Sequence, residues 1–212
     1  MAYRKFKLTE LEAKFGIQNR LIRWLDTSIT TPIEPSSLLK MVIERATLAP
    51  LSTEKAVSER VISPIMTEVL ERNTETIQLF SGEIINADDD SGLKGEIDFL
   101  FNYRPHSPTP EAPLFSITES KIGLLHKAWG QAAAQMLGVF VINQKLNHPL
   151  KVVFGSVTDG NSWQFLKLEN KIVYIDSRVF TLTELPIILG IFQYFIDYQP
   201  IKGVKNPSAS VN

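Results

Sequence analysis

The chain has no cysteine, which removes disulfides, zinc–thiolate centres and cysteine nucleophiles from consideration. Its three histidines, His106, His126 and His148, show no metal-ligand spacing. A dominant charge is missing too. The formal net charge of −1 provides no global basic field for a nucleic acid, although a local basic cleft is compatible with a near-neutral whole. No stretch is long and apolar enough to span a bilayer: the most apolar run, residues 185–192, is too short. The basic start, Met1 to Lys7, is not followed by an apolar signal segment, so the expected setting is cytoplasmic, with no membrane partner. There is no glycine-rich phosphate loop followed by Lys-Ser/Thr, and Gly160-Asn161-Ser162 suits a turn rather than a nucleophile elbow. At 212 residues and 44% hydrophobic content, the chain suits one domain with a sizeable core.

What is present is acidic chemistry inside two runs that otherwise read as strand. The first is Gly95-Glu96-Ile97-Asp98-Phe99-Leu100-Phe101. The second is Phe115-Ser116-Ile117-Thr118-Glu119-Ser120-Lys121. A carboxylate in a core-packed strand is costly unless something binds it. Folding the two runs into a hairpin centred near Pro108 sets Asp98 opposite Glu119, with Cβ atoms about 5 Å apart. Glu119 and Lys121 share a face because strand side chains alternate with period two. Two carboxylates and an ammonium converging on one spot is an arrangement suited to a divalent cation and an activated water. Glu96, on the same strand face as Asp98, is either a further ligand or a rim residue. A cross-strand salt bridge on an exposed face is the bland alternative. Large apolar neighbours on both sides of each strand argue against it, because they imply a sheet covered on both faces.

The rest of the chain supplies a frame for that hairpin. Residues 8–26 read as a helix with Thr9 and Glu12 as a capping box, and 27–37 as a loop. Residues 38–48 form a short helix. A longer one, capped by Ser52 or Thr53, reaches Arg72 with a kink or break at Pro64. One or two strands follow at 76–80 and 83–86, with an acidic turn at 87–92. After the strands at 95–103 and 114–122 come a helix over 123–146 and a hairpin, 151–158 and 163–168, around Asp159-Gly160-Asn161. A further strand spans 171–175. A closing helix, 183–198, is capped at Thr183 with Pro186 in its first turn. Its aromatics, Phe192, Tyr194, Phe195 and Tyr198, form either core or the face of a homodimer. Residues 205–212 are a polar tail expected to be disordered. The fold class is α/β, a mixed sheet sandwiched by helices, with residues 1–50 as a helical N-terminal extension to a domain over 51–204.

Two helices add candidates. Glu59, Ile62, Met66 and Leu70 fall on one stripe at regular helical spacing, so Glu59 is the odd acid on an apolar face. It either joins the metal site or simply sits near a helix start, where the dipole favours acids. Glu54, Glu68, Glu71 and Glu75 fall off that stripe and read as solvent-facing. Gln131 and Gln135, at i and i+4, share a face of the later helix, with alanines between them allowing close approach. His126 reads as a surface residue; Trp129 and Trp163 read as core.

The order Glu59 on a helix, Asp98 on a strand, Glu119-Ser120-Lys121 on the next, and Gln131-x-x-x-Gln135 on a helix resembles the PD-(D/E)XK nuclease superfamily. Thr158-Asp159-Gly160-Asn161-Ser162-Trp163-Gln164-Phe165 is similar to a Thr-Asp-Gly-x-x-Trp-x-Phe hairpin that recurs in small bacterial members, many of them cyanobacterial. The resemblance covers residues 55–174 and departs from the motif in having Ile97, not proline, before Asp98. It implies a restriction-endonuclease-like fold and metal-dependent hydrolysis of phosphodiesters, DNA first among them. Mg²⁺ or Mn²⁺ would be held by Asp98, Glu119 and the Ser120 carbonyl. Lys121 would orient water or neutralise the transition state, Glu59 would hold a metal-bound water, and Gln131 and Gln135 would support the substrate side. The rival expectation is a catalytically silent module of the same fold that binds nucleic acid or a protein.

Overall fold

The computed structural model describes residues 2–26, 28 and 30–198. The expected tail, 205–212, and the end of the expected domain, 199–204, lie outside the described residues. A mixed eight-stranded sheet forms the centre, in the order β1-β7-β6-β5-β4-β3-β2, with β8 pairing to β6. The strands are β1 (Gln18–Ile22), β2 (Gln78–Asp88), β3 (Leu93–Asn102), β4 (Leu114–Ser120), β5 (Val152–Thr158), β6 (Ser162–Glu169), β7 (Ile172–Asp176) and β8 (Phe180–Thr181). The helices are α1 (Leu8–Phe15), α2 (Ser37–Ala46), α3 (Glu54–Val57), α4 (Ser63–Glu71), α5 (Trp129–Lys145) and α6 (Leu185–Asp197). β4 and β5 run parallel, as do β1 and β7; the other pairs are antiparallel.

The sheet is covered on both faces, as the apolar residues flanking the acids imply. One face packs Phe99, Phe101, Phe115, Phe154 and Phe165 against α2, α4 and α6. The other packs Leu100, Ile117, Val153, Val157 and Leu166 against α1 and α5. Fully burying a large apolar side chain stabilises by about 1.5–3 kcal/mol, so this double layer dominates the stability of the fold. Phe192 and Phe195 of α6 are fully in that core, with Phe195 stacked on Phe154 at 4.1 Å between ring centroids. Of the two expectations for this aromatic face, core is the outcome for these residues. Trp163 is also fully buried.

Several sequence expectations change. The helix expected over 8–26 stops at Gly16, a left-handed residue (φ 67°) that closes α1, as glycine does at helix ends. Residues 18–22 become the edge strand β1, exposed on both faces and parallel to β7. Tyr3, Phe6, Leu11, Ile17 and Leu25 are all buried in the two cores. These five side chains pack in the same two cores as residues of the domain expected over 51–204. Of the one or two strands expected at 76–80 and 83–86, the outcome is one, β2, with Gly82 at φ 69° within it. The closing helical segment is capped two residues earlier than expected. Thr181, not Thr183, makes the capping box with Glu184, while Pro186 does lie in the first turn.

Pro64 does not split its helix. Residues Ser58–Ile62 form a wide π turn, in which the Ser63 N–H donates to the Ser58 carbonyl, and α3 and α4 run on either side of it. A proline lacks the N–H that a regular turn would use, and a widened turn is one way to absorb it.

Glu68, expected to face solvent, is buried and ties α2 to α4. It accepts from the Ser36 N–H (2.9 Å), the Ser36 hydroxyl (2.6 Å) and the Arg72 guanidinium (2.5 Å), while Ser36 caps α2 through Leu39 N. Burial alone would raise its pKa. The bonds from Ser36 and Arg72 outweigh that and hold the carboxyl below its ordinary value. Glu68→Ala is expected to cost roughly 2 kcal/mol, because it strips a buried donor set of its acceptor. With the folded pKa lowered, the stabilisation is present above the unfolded carboxylate pKa and is lost as pH falls through the folded value. Urea melts of wild type and variant at pH 7 and pH 3 check this: the difference is expected to shrink at the lower pH.

Candidate active site

The acidic hairpin forms with the register its sequence implies. β3 and β4 pair antiparallel as Phe99 with Thr118, Leu100 with Ile117 and Phe101 with Ser116, which carries Asp98 opposite Glu119. Regular strand pairing stops at Phe99, and the Asp98 side chain takes over: its Oδ2 accepts the Ser120 N–H at 2.7 Å. β4 meanwhile stays paired with β5 through Ser120 and Thr158, and the Lys121 N–H donates to the Thr158 carbonyl at 2.8 Å. The end of β4 is thus fixed on one side by backbone and on the other by a carboxylate.

Glu119 points toward α5. Gln135, fully buried there, donates from Nε2 to Glu119 Oε2 at 2.7 Å and to the Glu96 carbonyl at 3.2 Å. Both partners are acceptors, so the amide NH₂ must face them, and this fixes the orientation of the side chain. Gln135 Oε1 and the Ser120 hydroxyl are then buried polar atoms with no partner among the described residues. Alanines 132, 133 and 134, all fully buried, let α5 lie close enough for this reach.

The carboxylates sit at a cleft of about 520 Å³ lined by Glu54, Glu96, Asp98, Glu119, Lys121 and Gln131, among others. Burial raises the pKa of Glu119 to about 8, with the charge of Asp98 adding to the effect. Burial also raises Asp98, helped by Glu96 and Glu54 and opposed by the Ser120 N–H. Two neighbouring carboxylates, each made reluctant to ionise, favour a cation between them. Lys121 is raised chiefly by its hydrogen bond to Glu54, Nζ to Oε1 at 2.8 Å.

Asp98, Glu119, Ser120, Lys121 and Gln131 all line this cleft, and Gln135 supports it from behind. Glu59 is not part of it. Its side chain is 61% exposed and pairs with Lys55 at 3.7 Å on the outer surface. The helix acid that does reach the cleft is Glu54, read from the sequence as solvent-facing. The π turn explains the exchange. It adds one residue to the helical repeat, so Val57, five residues before Ile62, holds the inward position, and Glu59 turns outward. Glu96 lines the rim of the cleft.

The hairpin after β5 positions Glu54. Asp159 Oδ1 accepts from Asn161 N (3.1 Å) and Ser162 N (2.7 Å), and Thr158 Oγ1 accepts from Gly160 N (2.9 Å). Gly160 has φ 88°, and a Cβ there would lie 2.5 Å from Val57 Cγ1. Only glycine allows α3 to pack this closely on the turn. That contact seats the end of α3 on the turn, and the pair with Lys121 holds Glu54, at its start, beside the end of β4.

The residues fit a small, hard divalent cation. Mg²⁺ and Mn²⁺ are held by few carboxylates and keep several waters, and a metal-bound water would supply the donor that Gln135 Oε1 lacks. Among the described residues, no group of three His, Cys, Asp or Glu side chains closes around a metal. Where β3 and β4 end, the cleft offers Asp98, Glu119 and backbone oxygen, with Glu54 and Glu96 farther out on its lining. No helix among the described residues is long and apolar enough to cross a membrane.

Comparison with protein-family models gives no match, and comparison with curated proteins gives none either. Any functional reading therefore stands on the residues and their geometry.

Proposed function

We propose that the chain is a metal-dependent nuclease hydrolysing phosphodiester bonds, most simply of DNA, on a restriction-endonuclease-like core similar to the PD-(D/E)XK superfamily. The observation that carries this reading is half-buried Asp98 facing buried Glu119 where the regular pairing of β3 and β4 ends, with Lys121 beside them. Asp98, Glu119 and the Ser120 carbonyl would hold Mg²⁺ or Mn²⁺. When bound, the ion would lower the pKa of a coordinated water and offset charge growing on the phosphate. Gln135 aims Glu119, and the Ser120 N–H aims Asp98, so the ligands are set before the cation arrives.

Lys121 supplies the positive charge next to the scissile phosphate. Its ion pair with Glu54 is half exposed, so parting it to meet substrate costs under about 1 kcal/mol. Glu54 is then a positioning residue, keeping the ammonium at the cleft mouth between turnovers. Glu54→Ala is expected to slow cleavage several-fold and Glu59→Ala to leave it within about twofold. Initial rates of supercoiled-plasmid nicking compare the two, and equal loss from both would remove Glu54 from its role.

The overall reading is tested by incubating the protein with plasmid and with single-stranded DNA in Mg²⁺ or Mn²⁺, beside the Lys121→Ala variant. Metal-dependent cleavage that falls in the variant supports it, whereas nicking that persists undiminished in the variant refutes the mechanism. A silent module of the same fold would bind without cutting; the intact trio Asp98, Glu119 and Lys121 favours catalysis over that alternative.

A further inference from the structure

The cleft has an electrostatic problem that its own residues do not solve. Four carboxylates line it, from Glu54, Glu96, Asp98 and Glu119, against two cations, Lys121 and Arg4. Lys121 is already paired with Glu54. A polyanion approaching this cleft would be repelled unless positive charge next to it holds the chain in place.

That charge is on the N-terminal segment. Tyr3 and Phe6 are buried against α5 and the sheet, at 1% and 4% exposure, and they anchor a short turn over Tyr3–Lys5. Arg4, Lys5 and Lys7 lie between and beside these anchors and are exposed. Arg4 lines the cleft itself. The segment then runs onto the start of α5. A Cβ at Gly130 would lie 2.3 Å from the Phe6 carbonyl and 2.8 Å from Lys7 Cα, so glycine is needed for this contact. Lys7 is thereby set beside Gly130 in the first turn of α5, a helix that exposed Lys127 precedes by two residues and whose Gln131 lines the cleft. Among the described residues, none of Arg4, Lys5, Lys7 or Lys127 forms an ion pair. Lys40, on α2, by contrast pairs with Glu34.

We infer that Arg4, Lys5 and Lys7, continued by Lys127, form a track for the phosphate backbone of a nucleic acid leading into the Asp98–Glu119 cleft. This rests on the hydrolytic reading for its substrate but not for its test. The side chains contact phosphate and not base edges, so the track is expected to bind without sequence preference and with strong salt dependence. Four unpaired cations on a chain of net charge −1 explain how a neutral protein holds a polyanion at an acidic cleft.

The test measures anisotropy of a short labelled DNA duplex against full-length protein in EDTA, where no divalent cation supports cleavage, across a salt series. The triple variant Arg4→Ala, Lys5→Ala, Lys7→Ala is expected to bind at least about tenfold more weakly and to lower the log–log salt slope by about 2 to 3. Tyr3 and Phe6 are kept, and thermal melts confirm that the variant is folded. Arg4→Lys, Lys5→Arg, Lys7→Arg is expected to restore the slope, and Lys40→Ala to leave it unchanged. An unaltered slope in the alanine triple overturns the track, as does binding to anionic lipid vesicles in preference to DNA. A protein that shows the expected slope but never cuts in Mg²⁺ refutes hydrolysis and keeps the track. One that cuts while the triple binds normally does the reverse.

Discussion

Lys121→Ala is expected to lower the rate of phosphodiester cleavage by about 10²–10³-fold at saturating Mg²⁺, with metal affinity nearly unchanged. The size follows from what the ammonium does. It lies at the mouth of a partly buried cleft beside two carboxylates, where one fixed charge aimed at a developing anion is worth several kcal/mol. It is not a metal ligand, so a variant without it keeps Asp98 and Glu119 to bind the ion. Single-turnover rates with excess protein, compared with Mn²⁺ affinity for the same variants, separate the two roles. Asp98→Asn is expected to lose both together. A Lys121→Ala protein that loses Mn²⁺ affinity as severely as activity would place the ammonium in a structural role instead.

Glu119→Gln is expected to stabilise the metal-free protein by roughly 2–4 kcal/mol at pH 8 while removing its activity. Glu119 is buried, and its folded pKa is pushed up to about 8, above the ordinary carboxylate value it would have unfolded. The sign is therefore fixed. Below the unfolded pKa both states carry the proton and no penalty exists. As pH rises toward 8, the unfolded chain ionises freely and the folded one resists, so the wild type loses stability over that interval. Glutamine carries no charge to bury and still accepts the bond from Gln135 Nε2. Urea melts in EDTA from pH 5 to pH 8 should show a falling wild-type curve and a flatter one for the variant. A variant that is less stable than wild type at pH 8, with an equal pH slope, contradicts the burial of an unsatisfied acid here. A substitution that raises stability and abolishes function marks a residue kept for chemistry.

The hairpin was legible because two simple rules specify it. Period-two alternation puts Glu119 and Lys121 together, and the centre near Pro108 pairs residues that sum to the same number, as Phe99 with Thr118 does. Gln135 was also legible, as one of two glutamines on a helix face beside small residues. The identity of the helix acid was not. Counting Glu59 with Ile62, Met66 and Leu70 assumes a regular helix, and the π turn at Ser58–Ile62 breaks that count. Pro64 was the available signal: a proline inside a helix requires some irregularity within the preceding turn.

Residues 18–22 depart from the helix expectation for a different reason. Leu21, Ile22, Trp24 and Leu25 have helix-like spacing, and an edge strand exposed on both faces shows no alternation to oppose it. Gly16 was the overlooked stop. Glu68 and Asp176 were out of reach entirely. Asp176 is fully buried, yet it accepts Leu25 N at 2.7 Å and Arg178 N at 2.8 Å, partners that only the folded chain brings together. The basic track belongs with these. Met1 to Lys7 reads as basic in sequence, but nothing local says that Ala2, Tyr3 and Arg4 line the cleft or that Phe6 and Lys7 pack on Gly130.

The central claim is that Asp98 and Glu119 form a divalent-cation site, and Mn²⁺ titration followed by electron paramagnetic resonance tests it most directly. Wild type is predicted to take up Mn²⁺ and quench the free-ion signal, Glu59→Ala to do the same, and the Asp98→Asn, Glu119→Gln double variant to leave the ion free. Equal Mn²⁺ uptake by wild type and the double variant, or no uptake by the folded wild type, would contradict it.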